Sequence, residues 1–293
     1  MDRNLIKEKF KKITLWKRGG ERAPHKPLLI LHTLGLLLRN NERMESYEDM
    51  ENKLKKLLIA FGPSRYKIRT EYPFWRLKND DIWEIEGASE IKMNKSGDIK
   101  KDDLIRYKVR GGFSIEIYQK LKEDRELIHD IVQELLNTNF PSSIHEDILQ
   151  SVGIEITVKT ARDPEFRDKL LRAYENKCAI CGFDVRLDNY PVALEAAHIK
   201  WHQAGGPDIE VNGLALCSLH HKLFDRGAFT LSENLEIQIS DRAFGTTGFN
   251  EWLMQFHGKK INFPQRKAYL PDLSYVIWHI REVFQGDPRE NVT

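Results

Sequence analysis

Two short pairs of potential metal ligands constrain the second half of this 293-residue chain more than any other feature. Cys178 and Cys181 form a C-x2-C pair, and Cys217 and His220 form a C-x2-H pair. Three thiolates and one imidazole are a tetrahedral donor set suited to zinc, and four protein ligands leave no open position for water. The sequence therefore predicts a closed structural Zn²⁺ site. Because these are the chain's 3 cysteines, no closed disulfide framework can form, and a reducing cytoplasm is the expected location.

A second group of residues lies between these pairs and directly after them. His198 is followed by Asn212-Gly213 and then by His221, inside the frame of the two ligand pairs. This arrangement over residues 178–231 resembles an HNH nuclease. The continuation over residues 223–229, which reads LFDRGAF, is similar to the variant of that family found in modification-dependent restriction enzymes.

The resemblance to HNH nucleases implies a role for each of the three motif residues. Neutral imidazole is the natural base near pH 7, so His198 is the expected general base for the attacking water. By resemblance, His221 ligates a catalytic divalent cation such as Mn²⁺ or Mg²⁺, and Asn212 holds the loop and orients the base. The implied ββα fold has a strand under His198, a second strand near 214–216 and a helix from about Leu219.

One position departs from the pattern of the family. Many HNH nucleases carry an aspartate immediately before the first histidine, where it ligates the metal, and this chain has Ala197 there. Asp225 lies four residues after His221, on the same face of the expected helix, and is the candidate replacement. A cap or a salt bridge is the alternative role for this carboxylate. Glu195 and His202 are further candidates.

The first half of the chain has a basic, mainly helical character. Residues 3–26 contain nine basic residues and two acidic ones, which predicts either a nucleic-acid partner or a solvated helix face. Apolar spacing predicts helices over 3–16, 28–38, 47–60 and 114–136, and the aromatic stretch 65–91 predicts a β-hairpin. The expected class is α+β. A mainly helical DNA-binding domain with a small sheet (residues 1–145) precedes a ββα-metal HNH domain with a structural zinc site (residues 146–293).

Three segments of the first half carry a second resemblance. They are residues 22–31, residues 72–77 with Trp83 shortly after, and residues 110–113. Together they resemble the sulfur-binding domain of phosphorothioation-dependent restriction endonucleases, over most of residues 5–135. In phosphorothioated DNA, sulfur replaces one non-bridging phosphate oxygen and is larger, more polarisable and less strongly hydrated.

The resemblance assigns the sulfur pocket to Tyr72 and Pro73. An ordinary phosphate oxygen would lose its water hydrogen bonds in such a pocket, at a cost of about 1–3 kcal/mol. The wider DNA-binding set that this resemblance implies consists of Arg22, His25, Lys26, Tyr72, Pro73, Phe74, Trp75 and Arg110. The alternatives are that Phe74 and Trp75 are core residues, that His25 caps the helix near Pro27, and that the basic residues contact phosphates without reading sulfur.

Three functions are compatible with these patterns. The leading hypothesis is a type IV-like restriction endonuclease that binds phosphorothioated double-stranded DNA and cuts nearby. An HNH endonuclease directed to methylated or hydroxymethylated bases, held extruded in an aromatic pocket, is the second. A zinc-stabilised DNA-binding protein whose nuclease site has decayed is the third. One HNH site cuts one strand at a time, so a homodimer is an option. The apolar run 28–38 is too short to predict a membrane span.

Overall fold

The structure, a computed structural model, describes residues 2–15, 21–65, 67–94, 97–156 and 164–290. The chain divides into two compact units, the first from residues 1–139 and 145–159 and the second from residues 140–144 and 160–293. Helices and small sheets occur together, which confirms the α+β class. Residues 16–20 of the basic stretch lie outside the described residues. In the described ranges, no helix is both long enough and apolar enough to cross a membrane.

The first unit is built mainly from helices. In chain order they are α1 (Arg3–Lys11), α2 (His25–Asn40), α3 (Tyr47–Phe61), α4 (Glu71–Arg76), α5 (Lys101–Arg106), α6 (Ile115–Glu123), α7 (Arg125–Asn139) and α8 (His145–Val152). The helix predicted over 114–136 is therefore two helices. They separate at Asp124, whose side chain accepts a hydrogen bond from the backbone N–H of Leu127 and starts the second helix.

The helix α2 is the centre of the first unit. Its residues 27–37 are all buried, because an almost uninterrupted apolar sequence is apolar all round the helix. Pro27 lies in the first turn, where its missing N–H costs no intrahelical hydrogen bond. The helix ends at Asn41, which has a left-handed backbone with φ 55° and closes the last turn as asparagine often does. The helices α3, α4, α7 and α8 pack against this helix.

A small antiparallel sheet completes the first unit. Its strands are β1 (Met44–Ser46), β2 (Trp83–Glu86) and β3 (Arg110–Phe113), in the order β1-β3-β2. The β-hairpin predicted over residues 65–91 is wrong, because 71–76 form α4 and 77–80 a 3-10 turn, and only 83–86 form a strand. Packing overrides the β-propensity of this aromatic stretch, since Phe74 makes edge-to-face contacts with Tyr47 and Trp83.

The second unit contains three short antiparallel strand pairs and several helices. The elements are α9 (Pro164–Ala173), β4 (Arg186–Leu187), β5 (Tyr190–Pro191), β6 (Leu194–His198), β7 (Gly213–Cys217), α10 (Ser218–Asp225), β8 (Phe229–Leu231), β9 (Ile237–Ile239), α11 (Thr247–Trp252) and α12 (Leu273–Glu282). The pairs are β4-β5, β6-β7 and β8-β9, and a further β-bridge joins Glu236 to Lys260.

The elements β6, β7 and α10 form the ββα arrangement expected for residues 194–225. The strands pair from Leu194 opposite Cys217 to His198 opposite Gly213, and α10 begins directly after β7. The helix α9 packs against this hairpin at Gly213, where a Cβ would lie 2.5 Å from the Leu170 side chain. Glycine at this position therefore permits the close approach of α9 to the strand that follows Asn212.

Candidate functional site

The four predicted zinc ligands lie together in the second unit. Ligand atoms of Cys178, Cys181, Cys217 and His220 are all within 4.8 Å of one another, and the first, third and fourth residues are buried. The Sγ atoms of Cys181 and Cys217 are 4.0 Å apart, and Sγ of Cys178 is 3.8 Å from Nδ1 of His220. These separations and this donor set fit a tetrahedral zinc ion with four protein ligands.

The backbone carbonyl of Trp252 sets the tautomer of His220. Nε2 of His220 lies 2.9 Å from this oxygen, and a carbonyl can only accept, so Nε2 carries the proton. Nδ1 then presents its lone pair to the cysteine sulfurs, 3.1 Å from Sγ of Cys217. Zinc-ligating histidines are commonly oriented in this way through their second nitrogen. The cluster therefore has both the ligands and the outer contact of a structural zinc site.

His198 stands at the end of β6 between an aromatic ring and a carboxylate. Its ring stacks on Phe166 of α9 with 4.4 Å between centroids. Its Nε2 is 2.7 Å from Oδ1 of Asp208, so Nε2 donates a proton to the carboxylate and the lone pair lies on Nδ1. Burial lowers the pKa of His198, and Asp208 and Asp225 only partly oppose this effect. The ring is therefore neutral near pH 7 and can accept a proton.

Asn212 fixes the loop that follows His198. Its side-chain oxygen accepts a hydrogen bond from the backbone N–H of Lys200, and its amide donates to the carbonyls of Lys200 and Pro207. The residue is completely buried, and a Cβ at Gly206 would lie 2.8 Å from its amide nitrogen. Asn212 thus ties both ends of the loop that carries the chain from the histidine to the neighbourhood of Asp208.

His221 on α10 lies between two carboxylates. Its Nδ1 is 2.7 Å from Oε2 of Glu195, and its Nε2 is 3.0 Å from Oδ2 of Asp225. Burial lowers the pKa of His221, but the two carboxylates outweigh burial and raise it to about 9. Glu195 is two residues before Ala197 on β6 and therefore on the same face of the strand. The side chain of Glu195 therefore reaches His221 from the same face of β6 that carries Ala197.

The two carboxylates beside His221 differ in their surroundings. The side chain of Asp225 is 1% exposed and accepts hydrogen bonds from Trp201 Nε1 at 3.0 Å and from the hydroxyl of Ser143. The side chain of Glu195 is 24% exposed and also accepts a hydrogen bond from Ser218. Imidazole with carboxylate oxygens is a donor set that suits Mg²⁺ or Mn²⁺. Asp225, the carboxylate next to Nε2 of His221, also raises the pKa of His198.

The predicted sulfur-pocket residues lie on α4 of the first unit. Tyr72 is partly exposed, and the guanidinium groups of Arg76 and Arg69 lie 4.9 and 5.8 Å from the centre of its ring. Pro73 is buried beside it. The structure places Phe74 and Trp75 in the core instead of on a DNA-binding surface, with exposures of 0% and 6%. Aromatic side chains next to a surface residue on a short helix point inward, because burying them stabilises the unit.

The predicted basic contacts of the first unit have different surroundings. Lys26 is drawn into an ion pair with Asp80, with 2.5 Å between Nζ and Oδ2 and only 12% of the lysine side chain exposed. Arg22 donates to the backbone carbonyl of Phe61. Arg110 is exposed and donates to the carbonyl of Met44 at 2.8 Å. Of these three predicted cations, Arg110 is therefore the most accessible.

His25 begins α2 within a positively charged neighbourhood. Burial, together with the charges of Arg65 and Arg22, lowers its pKa to about 4. A neutral imidazole at a helix N-terminus, close to two guanidinium groups, is a suitable environment for a phosphate. The structure thus brings His25 and Arg22 into one neighbourhood.

Several residues of these surroundings were missed by the sequence analysis. Asp208 belongs to no motif, and its proximity to His198 depends on the loop fixed by Asn212. Arg65, Arg69 and Arg76 lie in the stretch 65–91, whose aromatic composition predicts a hairpin. The pattern Thr70-Glu71 followed by Pro73 is typical of a helix start and could have indicated α4.

Two family descriptions match this chain. The first, "ScoMcrA-like, DNA sulfur-binding domain", matches residues 3–157. The second, "HNH endonuclease", matches residues 178–232. The second match covers β6, β7 and α10 together with both ligand pairs. No curated protein matches the chain.

Solved structures similar to this chain include domains bound to DNA. The "Sulfur binding domain of ScoMcrA complexed with phosphorothioated DNA" is 19% identical, covers 50% of this chain and 94% of its own, and has a TM-score of 0.44. The "Sulfur binding domain of SprMcrA complexed with phosphorothioated DNA" is 17% identical. The match covers 53% of this chain and 95% of that domain, with a TM-score of 0.44. The type IV phosphorothioation-dependent restriction endonuclease ScoMcrA is 20% identical with a TM-score of 0.43; the match covers 57% of this chain and 38% of that enzyme.

Proposed function

This chain belongs to the ScoMcrA-like DNA sulfur-binding family and carries an HNH endonuclease domain, and from that premise we propose that it is a modification-dependent restriction endonuclease. Its first unit recognises phosphorothioated DNA, and its second unit hydrolyses nearby phosphodiester bonds with the help of a divalent cation. The observation that carries the proposal is the presence, in one chain, of the sulfur-binding family over residues 3–157 and an arranged set of HNH residues after it.

Recognition is proposed to rest on the partly exposed ring of Tyr72, with Pro73 beside it. A sulfur atom keeps its contacts on such a surface, whereas an oxygen of ordinary phosphate loses hydrogen bonds to water. Arg76 and Arg69 lie next to the ring, but they already pair with Asp98 and Glu71, so a bound phosphate would compete with these carboxylates for them. His25 and Arg22, with Arg110, would contact flanking phosphates, which give affinity without sequence information.

Cleavage is proposed to begin with proton transfer to His198. Nδ1 of His198 takes a proton from a water molecule as its oxygen attacks phosphorus, while Asp208 holds the ring through Nε2. The bond between phosphorus and the 3′-oxygen then breaks, leaving a 5′-phosphate on one product and, on the other, a 3′-oxygen that takes a proton from solvent water to become a hydroxyl. Phe166 keeps one face of the base covered, which preserves its neutral form by excluding water. Asn212 acts indirectly, by keeping the loop between the histidine and Asp208 in place.

We assign the divalent cation to His221 and Asp225. Glu195 accepts the Nδ1 proton of His221 and thereby turns Nε2 toward Asp225, as a carboxylate behind a ligating histidine does. To serve as a ligand, Nε2 of His221 would have to be deprotonated. When bound, the cation supplies positive charge for the scissile phosphate and the departing oxygen. Mg²⁺ and Mn²⁺ are the cations that suit these donors.

The zinc site is proposed to have a structural role. Its four protein ligands connect the segment before β6 to the end of β7 and the start of α10. Zn²⁺ in this position would hold the two strands and the helix that carry His198, Asn212 and His221. No step of the hydrolysis needs this ion.

Three otherwise identical DNAs test the proposed function. The purified chain is incubated with Mn²⁺ or Mg²⁺ and with phosphorothioated, cytosine-methylated or unmodified duplex. Cleavage of the phosphorothioated duplex alone supports the proposal. Cleavage of the methylated duplex alone would overturn it in favour of base recognition, although the burial of Phe74 and Trp75 removes two aromatic walls from a base pocket. Retention of phosphorothioated DNA without any cleavage would indicate a binding protein whose nuclease site is inactive.

A further inference from the structure

A large open cleft lies in the second unit, away from the residues assigned above. Its volume is about 690 Å³, and polar side chains form most of its lining. Five cations line it: Lys169, Arg172, Lys177, Arg186 and Arg266. Two carboxylates, Glu175 and Glu210, line it as well, so the lining carries a formal excess of three positive charges at pH 7.

Most of this positive charge is not neutralised within the second unit. All five cations are exposed, and Lys169 is paired with Glu165 at 2.7 Å. Among the residues that the structure describes, Lys177, Arg186 and Arg266 have no carboxylate within ion-pair distance. An excess of three positive charges along an open cleft produces a positive potential that attracts an anionic ligand.

The lining indicates an extended polyanion as the occupant. Ala173 and Tyr269 are its apolar or aromatic residues, and the guanidinium group of Arg266 already lies 6.0 Å from the centre of the Tyr269 ring. A small-molecule pocket is normally lined mainly by apolar side chains that bury the ligand. Spread arginines and lysines on an open polar cleft are instead typical of contacts with a nucleic-acid backbone.

The helix α9 connects this cleft to the proposed general base. Phe166 near its start stacks on His198, while Lys169, Arg172 and Ala173 on its later turns line the cleft. Six residues of helix separate Phe166 from Arg172, which corresponds to about 9 Å along the helix axis. At a rise of about 3.4 Å per nucleotide, a DNA strand covers this distance in about three nucleotides.

The hairpin β4–β5 places Arg186 on the side of the cleft. Arg186 is paired with Pro191 across the hairpin, and Leu187 is paired with Tyr190. Because cross-strand partners share one face of the hairpin, Arg186 and Pro191 face the opposite way from Leu187 and Tyr190. The hairpin therefore directs its one arginine into the lining of the cleft.

We propose that the cleft between α9, the β4–β5 hairpin and the segment around Arg266 binds the DNA backbone about three nucleotides from the scissile phosphate. The second unit thus has its own phosphate-binding surface, independent of the sulfur-binding unit. This inference rests on the proposed function in taking DNA as the ligand and His198 as the group that marks the scissile phosphate. The binding of DNA in the cleft itself requires neither sulfur recognition nor cleavage.

The test is the salt dependence of binding to unmodified duplex DNA by the full chain, without added divalent cation. Two cleft residues are neutralised together as Arg186→Gln with Arg266→Gln. The matched control is Lys259→Gln with Lys260→Gln, which removes the same charge from two exposed residues outside the cleft. Each phosphate contact contributes about 0.9 to the slope of log K against log salt. The cleft variant should therefore lower the magnitude of the slope by about 2, and the control should keep the wild-type slope.

An equal slope for the cleft variant and the control would overturn the inference. Melting temperature and zinc content, measured on both variants, establish that they fold as the wild type does. If the double variant fails this check, the two single variants give the same comparison, with an expected change of about 1 each. A changed slope together with no cleavage of phosphorothioated DNA would contradict the proposed function and leave the phosphate-binding cleft in place.

Discussion

The Nε2 atom of His198 lies 2.7 Å from Oδ1 of Asp208, ten residues further along the chain. This contact keeps the proton on Nε2 and leaves Nδ1 free to accept a proton. It depends on Asn212, because the hydrogen bonds of that side chain to Lys200 and Pro207 hold the loop that leads to Asp208. The proposed base is therefore oriented by a residue of its own loop.

Replacing Asp208 by asparagine should slow cleavage and leave DNA binding unchanged. The amide keeps the shape of the side chain but cannot hold the imidazole as firmly or stabilise its protonated form. Since a positioned base contributes about 100-fold or more to the rate, we expect a loss of about 10- to 100-fold in the cleavage rate. Asp188→Asn is the matched control, because Asp188 has a φ of 50° that asparagine also adopts. Equal rates for the two variants would contradict the role of Asp208.

The cleavage rate should depend on pH through His198. Burial lowers the pKa of His198 below its ordinary value of 6.5, and the base acts in its neutral form. The rate should therefore be constant above about pH 6.5 and fall as the pH drops through the lowered pKa. Because Asp208 raises this pKa, Asp208→Asn should move the fall to still lower pH. Initial rates at saturating divalent cation measure both curves, and a fall that begins above pH 7 would contradict the assignment.

The two carboxylates beside His221 should respond differently to neutralisation. In the proposed site Asp225 is a ligand, whereas Glu195 acts on the metal only through His221. Loss of a carboxylate in the position of Glu195 costs about 10- to 100-fold in metal affinity, and loss of a direct ligand should cost more. Asp225→Asn should therefore raise the Mn²⁺ concentration for half-maximal cleavage more than Glu195→Gln does. Since Asp225 is buried, melting temperatures of both variants serve as the folding control. A larger effect of Glu195→Gln would move the metal to the Nδ1 side of His221.

Removal of the zinc ligands should destabilise the second unit. Cys217→Ser replaces a thiolate by a hydroxyl and leaves an incomplete tetrahedral set. Because zinc binding at such sites contributes to the free energy of folding, we expect the melting temperature to fall by about 5 °C or more. Elemental analysis of the wild type should find one zinc per chain. Full stability of a zinc-free wild type would show that the cluster has no structural role.

The ββα centre was predictable from the sequence because its residues lie in short motifs with characteristic spacing. The pairs Cys178–Cys181 and Cys217–His220 each occupy one turn, so proximity within each pair follows from the sequence alone. His198 ends β6, and His221 lies on α10 directly after the paired strand β7. Asp208 could not be predicted in the same way, because a carboxylate in a loop carries no periodic signal and its position depends on the tertiary contacts of Asn212.

The first unit was less predictable because aromatic composition does not determine the face that a residue occupies. Tyr72 and Phe74 are two residues apart, yet one is partly exposed and the other is completely buried. Phe74 packs on Tyr47 and Trp83, which come from distant parts of the sequence. Lys26 likewise turned out to pair with Asp80, a residue 54 positions away. Long-range partners decide these cases.

In the proposed function, sulfur bound by the first unit directs cleavage by the second. The most direct measurement maps the cut positions on duplexes with and without a single phosphorothioate, for the wild type, Tyr72→Ala and His198→Ala. Tyr190→Ala is the control for loss of an exposed tyrosine, since Tyr190 is 78% exposed. We predict cuts near the sulfur for the wild type and the control. Tyr72→Ala should show a preference for sulfur reduced by about 10-fold, and His198→Ala should make no cuts. Equal cutting of both duplexes by the wild type, at positions unrelated to the sulfur, would contradict the account.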